Sequence, residues 1–271
     1  MPLITISHSI GTDGLSIAQK VAQGLSVELF DDARLQDEAL RLGISLDEVK
    51  SFEEKQPGFF DRLLSRKPDI YLEFMQSLVY GISQRGDGVI VGHGSQTLLK
   101  DFNCALHVLV HNREENRIEK LIEQQGLPRE AATKVLRKSD NTQKGFFRFA
   151  FQMEWDDPSL YDMVLNTEKI GSEVAAQLIL DASRSDEIKA CSLAAVSTMK
   201  NLALASKIKA ELMKNDIYLH NLNIEVMEGG VVEITGMTLT TERRERVMRV
   251  VKEVEGVTDV KMNVYIRSAS W

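Results

Sequence analysis

The chain has 271 residues, 43% of them hydrophobic and 27% charged, and a formal net charge of −7. That length suits one large domain or two small ones, at roughly 100–200 residues each. The composition is that of an ordinary globular protein and excludes a disordered, collagenous or disulfide-stapled chain. The acidic balance argues against a dedicated nucleic-acid binder, which needs basic surface to meet phosphate.

Leu3 to Ser7 is a short apolar, β-branched run and reads as a strand. Gly11-Thr12-Asp13-Gly14 ends it, and Ile17, Ala18, Val21, Ala22 and Leu25 then recur at helical spacing. The chain therefore opens as strand, glycine loop, helix. Residues 26–30 read as a second strand ending at Asp31-Asp32, and Leu35, Ala39, Leu40 and Leu42 mark a further helix. The stretch 51–69 is polar, with Pro57-Gly58 and Pro68 as breakers. Ile70 to Gln84 is helical, with Leu72, Met75, Leu78 and Val79 on one side.

Residues 88–92, 105–110 and 162–166 are continuous apolar runs. Between them lie a charged helix over 112–125, a short helix over 129–137 and, after the last run, a helix over 172–180. Five apolar strands without alternation, interleaved with helices, predict an α/β fold: a parallel sheet with helices on both faces. The character changes near Ser183-Arg184-Ser185-Asp186. Helical sequence covers 187–214. Ile224 and Val226, then Val232 and Ile234, alternate with Glu225 and Glu233 around a Glu228-Gly229-Gly230 turn, which predicts an antiparallel hairpin. Thr240 or Thr241 caps a helix to about Glu253, and Val260, Met262, Val264 and Ile266 form a last alternating strand. The expected division is 1–183 and 184–271, the second part a small α+β domain.

Cys104 and Cys191 have no motif spacing and are expected to be buried free thiols, which fits a reducing compartment. Residues 1–7 lack the basic region and apolar length of a signal peptide. No stretch approaches the roughly 18 uncharged apolar residues of a membrane span, so the expected location is cytoplasmic. His107 and His111, four apart on a strand, stand about 13 Å from each other, too far for one metal ion.

A strand, tight glycine loop and helix make a phosphate site, because the helix start offers unpaired amides and the positive end of the dipole. The loop does not match G-x-x-x-x-G-K-[ST], in which a lysine reaches the phosphates and a hydroxyl holds Mg²⁺. It carries no lysine.

The first part nevertheless resembles the cytidylate kinase-like family, which has the P-loop nucleoside monophosphate kinase fold. The resemblance rests on Ile4-Thr5-Ile6-Ser7, Gly11-x-x-Gly14-x-x-Ile17-Ala18, Phe30-Asp31, Val89-Ile90-Val91-Gly92-x-Gly94, Arg117, the Asp140 to Arg148 segment, Trp155-Asp156-Asp157-Pro158 and Tyr161 to Thr167, in order over residues 3–180. It implies binding of nucleotide phosphate by His8, Gly11, Thr12, Asp13, Gly14, Leu15 and Ser16, with ATP and Mg²⁺ as cofactors. Ser16 is the candidate Mg²⁺ ligand. Asp31 and His93 are candidates for the acceptor site, with capping of the next helix an equal alternative for Asp31. Arg117, Lys144 and Arg148 are the candidate catalytic cations.

Several positions depart from the family's pattern. Gly14 stands where typical cytidylate kinases carry lysine, as is usual in this branch. Asp13 replaces a glycine, His8 and His93 replace arginines, and Gln143 replaces a lid arginine. Phosphoryl transfer depends on positioning and charge neutralisation, and these changes remove positive charge and add a carboxylate.

The stretch 201–266 resembles a BON domain through Ile208, Leu212, Ile224-x-Val226, Gly230 to Gly236, Arg243 to Val251 and Gly256-Val257-x-x-Val260. The resemblance implies a binding module, of a kind linked to phospholipid or periplasmic surfaces and sometimes to regulation. Here Arg243, Arg244, Arg246 and Arg249 are interleaved with Glu242, Glu245 and Glu253, so a regulatory or dimerising role fits better than membrane attachment.

Two readings stay open. In one, the chain is an ATP- and Mg²⁺-dependent nucleoside monophosphate kinase with a CMP-like acceptor. In the other, it is a catalytically weak or inactive regulatory protein that holds a nucleotide or other phosphate-bearing small molecule and acts through its BON module. Neither reading involves nucleic acid, and both leave room for a homo-oligomer.

Overall fold

A computed structural model describes residues 2–41, 68–188, 190–238 and 240–266. The chain forms two compact units.

In the first unit the opening run becomes β1 (Leu3–His8), followed by α1 (Gly14–Leu25), β2 (Leu29–Phe30) and α2 (Asp32–Arg41). The unit resumes with β3 (Gly88–Val91), the short α4 (Ser95–Leu98), β4 (Ala105–His111), α5 (Glu114–Gln125) and α6 (Arg129–Phe151). It ends with β5 (Met163–Asn166) and α7 (Thr167–Ser183). The strands lie in the order β2-β3-β1-β4-β5 and every pair is parallel. In register, Ile4 lies beside Val89 and Leu106, and Ile6 beside Val91 and Val108. These side chains share one sheet face with Ile17 and Val21 of α1 and with Ala175 and Ile179 of α7. The alternate residues Leu3, Thr5, Ile90, His107 and Leu109 are buried as well. Burial on both faces is why the strands read as unbroken apolar runs.

The second strand is shorter than its apolar run, because Ser26 leaves α1 at φ 55° and only residues 29 and 30 pair with β3. A larger departure is α6. Sequence predicts a short helix to Arg137 and then a lid-like segment, but residues 129–151 form one helix of 23 residues. Ala132, Leu136, Asp140 and Phe147 recur along its inner side, and Asp140 is held there by Arg117. That pairing carries the helix through Ser139-Asp140-Asn141-Thr142, a run of weak helix formers.

Cys104 and Cys191 form a disulfide, with Cα atoms 4.9 Å apart. This overturns the expectation of two free thiols, and the inference of a reducing compartment drawn from them goes with it. The two residues are 87 apart in sequence and meet only through the fold. Cys104 precedes β4, where its carbonyl accepts from Leu3 N at 2.9 Å, and Cys191 follows α7.

The second unit contains α3 (Pro68–Ser83), α8 (Leu193–Lys214), β6 (Leu222–Val226), β7 (Val231–Thr238), α9 (Thr241–Glu253) and β8 (Asp259–Ile266). α3 lies along α8, joined by Ser206 Oγ to Gln76 Oε1 at 3.1 Å and by the Lys209–Glu73 ion pair at 3.7 Å. β6 and β7 are the predicted antiparallel hairpin, and β8 joins β7 in parallel after the α9 crossover. Ile224, Val232, Ile234 and Val264 face Ile208, Leu212, Val247 and Val251. Thr240 Oγ1 accepts from Arg243 N at 3.1 Å, the expected N-cap. Among the described residues, no helix is long and apolar enough to cross a membrane.

Candidate functional site

Parallel pairing brings one end of every strand in the first sheet to a common edge. The loops after β1, β2, β3 and β4 leave from that carboxyl edge, where ligands sit in open α/β sheets. His8 to Ser16, Asp31 and Asp32, His93, and the start of α5 are therefore brought to one side of the unit.

The first of these loops is tightly folded. Thr12 N and Thr12 Oγ1 both donate to Ser9 O, at 3.2 and 2.8 Å. Gly14 N donates to Thr12 Oγ1 at 3.4 Å, and Ile17 N donates to Asp13 O at 2.9 Å as the first bond of α1. The amides of Gly14, Leu15 and Ser16 precede that bond and so have no acceptor within the helix. Leu15 and Ser16 are exposed.

Close approaches fix both glycines of the loop. Gly11 has φ +78°, and a Cβ there would lie 2.6 Å from Arg117 O. At Gly14 a Cβ would lie 2.2 Å from His8 Cγ and 2.4 Å from His8 Cβ. The imidazole of His8 thus fills the place from which a side chain at residue 14 would leave the backbone. His8 Nδ1 lies 3.1 Å from Ser9 O. A carbonyl only accepts, so Nδ1 carries the proton and Nε2 is bare. Burial lowers the pKa of His8 below its ordinary value, which keeps the ring neutral at pH 7.

Asp13 stands at the N-cap of α1, yet its side chain makes no capping bond. Its carboxylate is ion-paired with Lys120 of α5. Sequence reasoning passed over Lys120. A basic residue three positions after Arg117 on a helix docked against the loop was the signal that could have found it.

Arg117 is buried, and each of its three side-chain nitrogens is hydrogen-bonded. Its Nε donates to Ile10 O at 2.8 Å, and its two terminal nitrogens reach Asp140 at 2.7 and 3.1 Å. Ile10 in turn packs against Ile118, Leu121 and Leu136. The loop, α5 and α6 are therefore fastened together through one guanidinium. Lys144, half-buried, and Arg148, exposed, lie further along α6, with Lys144 3.9 Å from Asp156 and Arg148 2.8 Å from Glu154. Exposed pairs of this kind hold weakly.

Asp31 and His93 take different positions. Asp31 Oδ1 accepts from Arg34 N at 3.0 Å and caps α2. His93 has φ 57° between Gly92 and Gly94, and its Nε2 lies 2.8 Å from Asp32 Oδ1. The hydrogen bond from His93 lowers the Asp32 pKa against an opposing desolvation. Phe151 rests on Gly94 and joins Phe146 and Phe147 in a ring cluster at the end of α6. Beside it Gln96 Nε2 donates to Tyr161 Oη at 3.0 Å, and Tyr161 donates to Trp155 O at 2.6 Å. Burial pushes the Tyr161 phenol up to about 12. His107, by contrast, is a core residue: its Nδ1 accepts from Thr5 Oγ1 at 2.8 Å, and burial lowers its pKa.

For Mg²⁺, the described residues hold no group of three or more His, Cys, Asp or Glu side chains placed to bind a metal. Magnesium commonly takes one or two protein oxygens and completes its shell with water and substrate phosphate. The exposed Ser16 hydroxyl fits that limited role.

The model of the cytidylate kinase-like family matches residues 3–169, and the BON domain model matches residues 201–267. A cytidylate kinase of Thermoplasma volcanium is 23% identical over 188 residues, covering 68% of this chain and 92% of that protein. A crystal structure of an uncharacterised protein from Eubacterium ventriosum superposes with a TM-score of 0.54 at 17% identity, covering 67% of this chain and 97% of that one. The ordered motifs, the strand order and the family match over most of the first unit lead to one conclusion: this chain belongs to the cytidylate kinase-like family and carries a C-terminal BON domain.

Proposed function

We propose that the first unit binds the phosphate chain of ATP at the turn between β1 and α1 and transfers its terminal phosphoryl group to a CMP-like nucleoside monophosphate. The observation that carries this reading is the turn itself. The first-turn amides of Leu15 and Ser16 in α1 stand at the carboxyl edge of a β2-β3-β1-β4-β5 sheet, in a chain of the cytidylate kinase-like family.

In this reading the chain's residues divide the work. Leu15 and Ser16 give backbone N–H groups to phosphate oxygens, and the Gly14 N–H holds Thr12 Oγ1 in the loop. Thr12 and Arg117 hold the loop in shape, Thr12 through Ser9 and Arg117 through Ile10 and Asp140. Mg²⁺, bound with the nucleotide, neutralises phosphate charge, and the Ser16 hydroxyl is its protein contact. Lys144 and Arg148 leave their weak acidic partners for the transferring phosphate, since a phosphate dianion is the stronger anion. His93, fixed by Asp32, faces the acceptor side. Asp31 serves α2 as its cap.

A second reading has its own support. A neutral imidazole at the Gly14 slot and a carboxylate beside the loop leave little positive charge where transfer needs it. These features favour a nucleotide-sensing protein with little turnover that signals through the BON domain. Arg243 and Arg246 of that domain donate to Tyr218 O and Asn215 O, each at 2.6 Å. Such bonds occupy arginines that a lipid surface would need.

The test is incubation of the full chain with Mg²⁺, γ-labelled ATP and CMP. Label recovered in CDP supports phosphotransfer. Binding of ATP without labelled CDP supports the sensor, and no nucleotide-dependent shift in thermal unfolding refutes both.

A further inference from the structure

We infer that Lys120 of α5 supplies the phosphate site with the ammonium group that residue 14 does not carry, and that Asp13 positions it there. The inference rests on the nucleotide reading given above and deepens it.

Four observations converge on this pair. First, the Lys120 ammonium meets the Asp13 carboxylate directly beside the first turn of α1. Second, Asp13 occupies the N-cap without capping, so its carboxylate is drawn toward α5 rather than across the Leu15 and Ser16 amides. Third, α5 is fixed against the loop: Arg117 holds Ile10 O at 2.8 Å, Gly11 lies against the Arg117 backbone, and Ile118 and Leu121 pack with Ile10. Lys120, one turn along the same helix, therefore has a fixed origin from which to reach the loop. Fourth, the His8 ring excludes a side chain at residue 14, so the ammonium has to come from another element.

Arg117 is not the substitute, because each of its three nitrogens is already bonded to Ile10 O or Asp140 and its side chain is only 8% exposed. The Lys120 side chain is 29% exposed and Asp13 27%, so both open to the solvent at the loop. An ammonium has three donors, so Lys120 can keep one on Asp13 while giving another to a phosphate oxygen. Asp13 then ceases to be a misplaced negative charge. It is a positioning residue, and the pair brings no net charge until the phosphate joins it.

The experiment is calorimetric titration of the full chain with MgATP and with tripolyphosphate. The proteins compared are the wild type, Lys120→Ala, Lys120→Arg, Asp13→Asn and the Asp13→Asn/Lys120→Ala double variant. Lys120→Ala should weaken both ligands about tenfold or more, the low end for a lost charge-assisted hydrogen bond. In the Asp13→Asn background, where Lys120 keeps its charge but loses its guide, a smaller loss should remain, and Lys120→Arg should restore most of the affinity. If the loss disappears when Asp13 is already neutral, Lys120 is only a counterion to Asp13 and the inference is overturned. Equal binding by wild type and Lys120→Ala also overturns it, while leaving the nucleotide reading intact. A wild-type chain that binds neither ligand removes both. Thermal unfolding of the unliganded variants, expected to be little changed, separates loss of the contact from loss of the fold.

Discussion

Replacing Gly14 by alanine should destabilise the protein, against the usual sign for such a change. Gly14 lies at the start of α1 and its φ is not positive. In a backbone that alanine can adopt, Gly→Ala commonly stabilises by about 0.4–1 kcal/mol, because the unfolded chain loses freedom. Here the new methyl meets His8 Cγ at 2.2 Å, Cβ at 2.4 Å and Cδ2 at 2.7 Å. Unstrained carbon contacts lie at about 3.5–4.0 Å, so the ring has to move by more than an ångström. It cannot do so without giving up the Ser9 contact at 3.1 Å. Overpacking of this kind costs about 1–3 kcal/mol. Urea unfolding followed by circular dichroism measures the change. Gly14→Ala should lose about 1–3 kcal/mol in the wild-type background and much less in a His8→Gly background, which removes the His8 Cβ as well as the ring, a coupling of the size found for touching residues. A Gly14→Ala protein as stable as the wild type, or equally weakened with and without His8, would refute the placement of the ring.

Three further outcomes follow from the same structure. Arg117→Ala leaves Asp140 and the Ile10 carbonyl without their partner, and breaking a buried pair costs about 3–5 kcal/mol. The unfolding midpoint should fall accordingly, and Arg117→Lys should recover only part because it cannot make the two-pronged contact. Reduction of the Cys104–Cys191 bond, which closes a loop of 87 residues, should lower stability by up to about 4.5 kcal/mol on the chain-entropy account. Peptide mapping with and without reductant identifies the bond, and unchanged unfolding in reductant would count against its role. His8 and His107 both have pKa values lowered by burial, so the unfolded chain takes up their protons first as pH falls. Stability should be full above the ordinary imidazole pKa of about 6.5 and should decline as pH drops below it toward the folded-state values. Urea midpoints at several pH values should show that slope, and His107→Gln should flatten it.

The parts of the fold that were legible in the sequence are those set by local pattern. Unbroken apolar runs announced β1, β3 and β4, because burial on both faces leaves no polar alternation to mask them; the edge strand β5 was also read from its apolar run, although Val164 is exposed. Alternation around Glu225 and Glu233 announced the hairpin, and Thr240 announced the start of α9. The parts that escaped depend on contacts between residues far apart in the chain. Lys120 and Asp13 are 107 residues apart, and nothing near either one points to the other. The length of α6 escaped because Asp140 reads as a helix-weakening aspartate until Arg117 is placed beside it. The disulfide escaped for the same reason. At the site, the sequence showed which cations were missing from the family's pattern. It could not show that His8 fills the Gly14 slot, since that is a fact about where an imidazole lies rather than about which residue is present. The predicted helix residue Leu42, the polar stretch with Pro57-Gly58, and Thr241's competing claim to the cap divide similarly: the first two lie outside the described residues, and the third is decided by the Thr240 hydroxyl.

Amide hydrogen exchange of the full chain with and without MgATP tests the central claim most directly. If the turn between β1 and α1 holds the phosphate chain, peptides spanning Ser9 to Ile17 should slow markedly on addition of MgATP, together with the α5 peptide that carries Lys120. Saturating MgATP that leaves those peptides exchanging at their unliganded rate, whether or not protection appears elsewhere, would contradict the account.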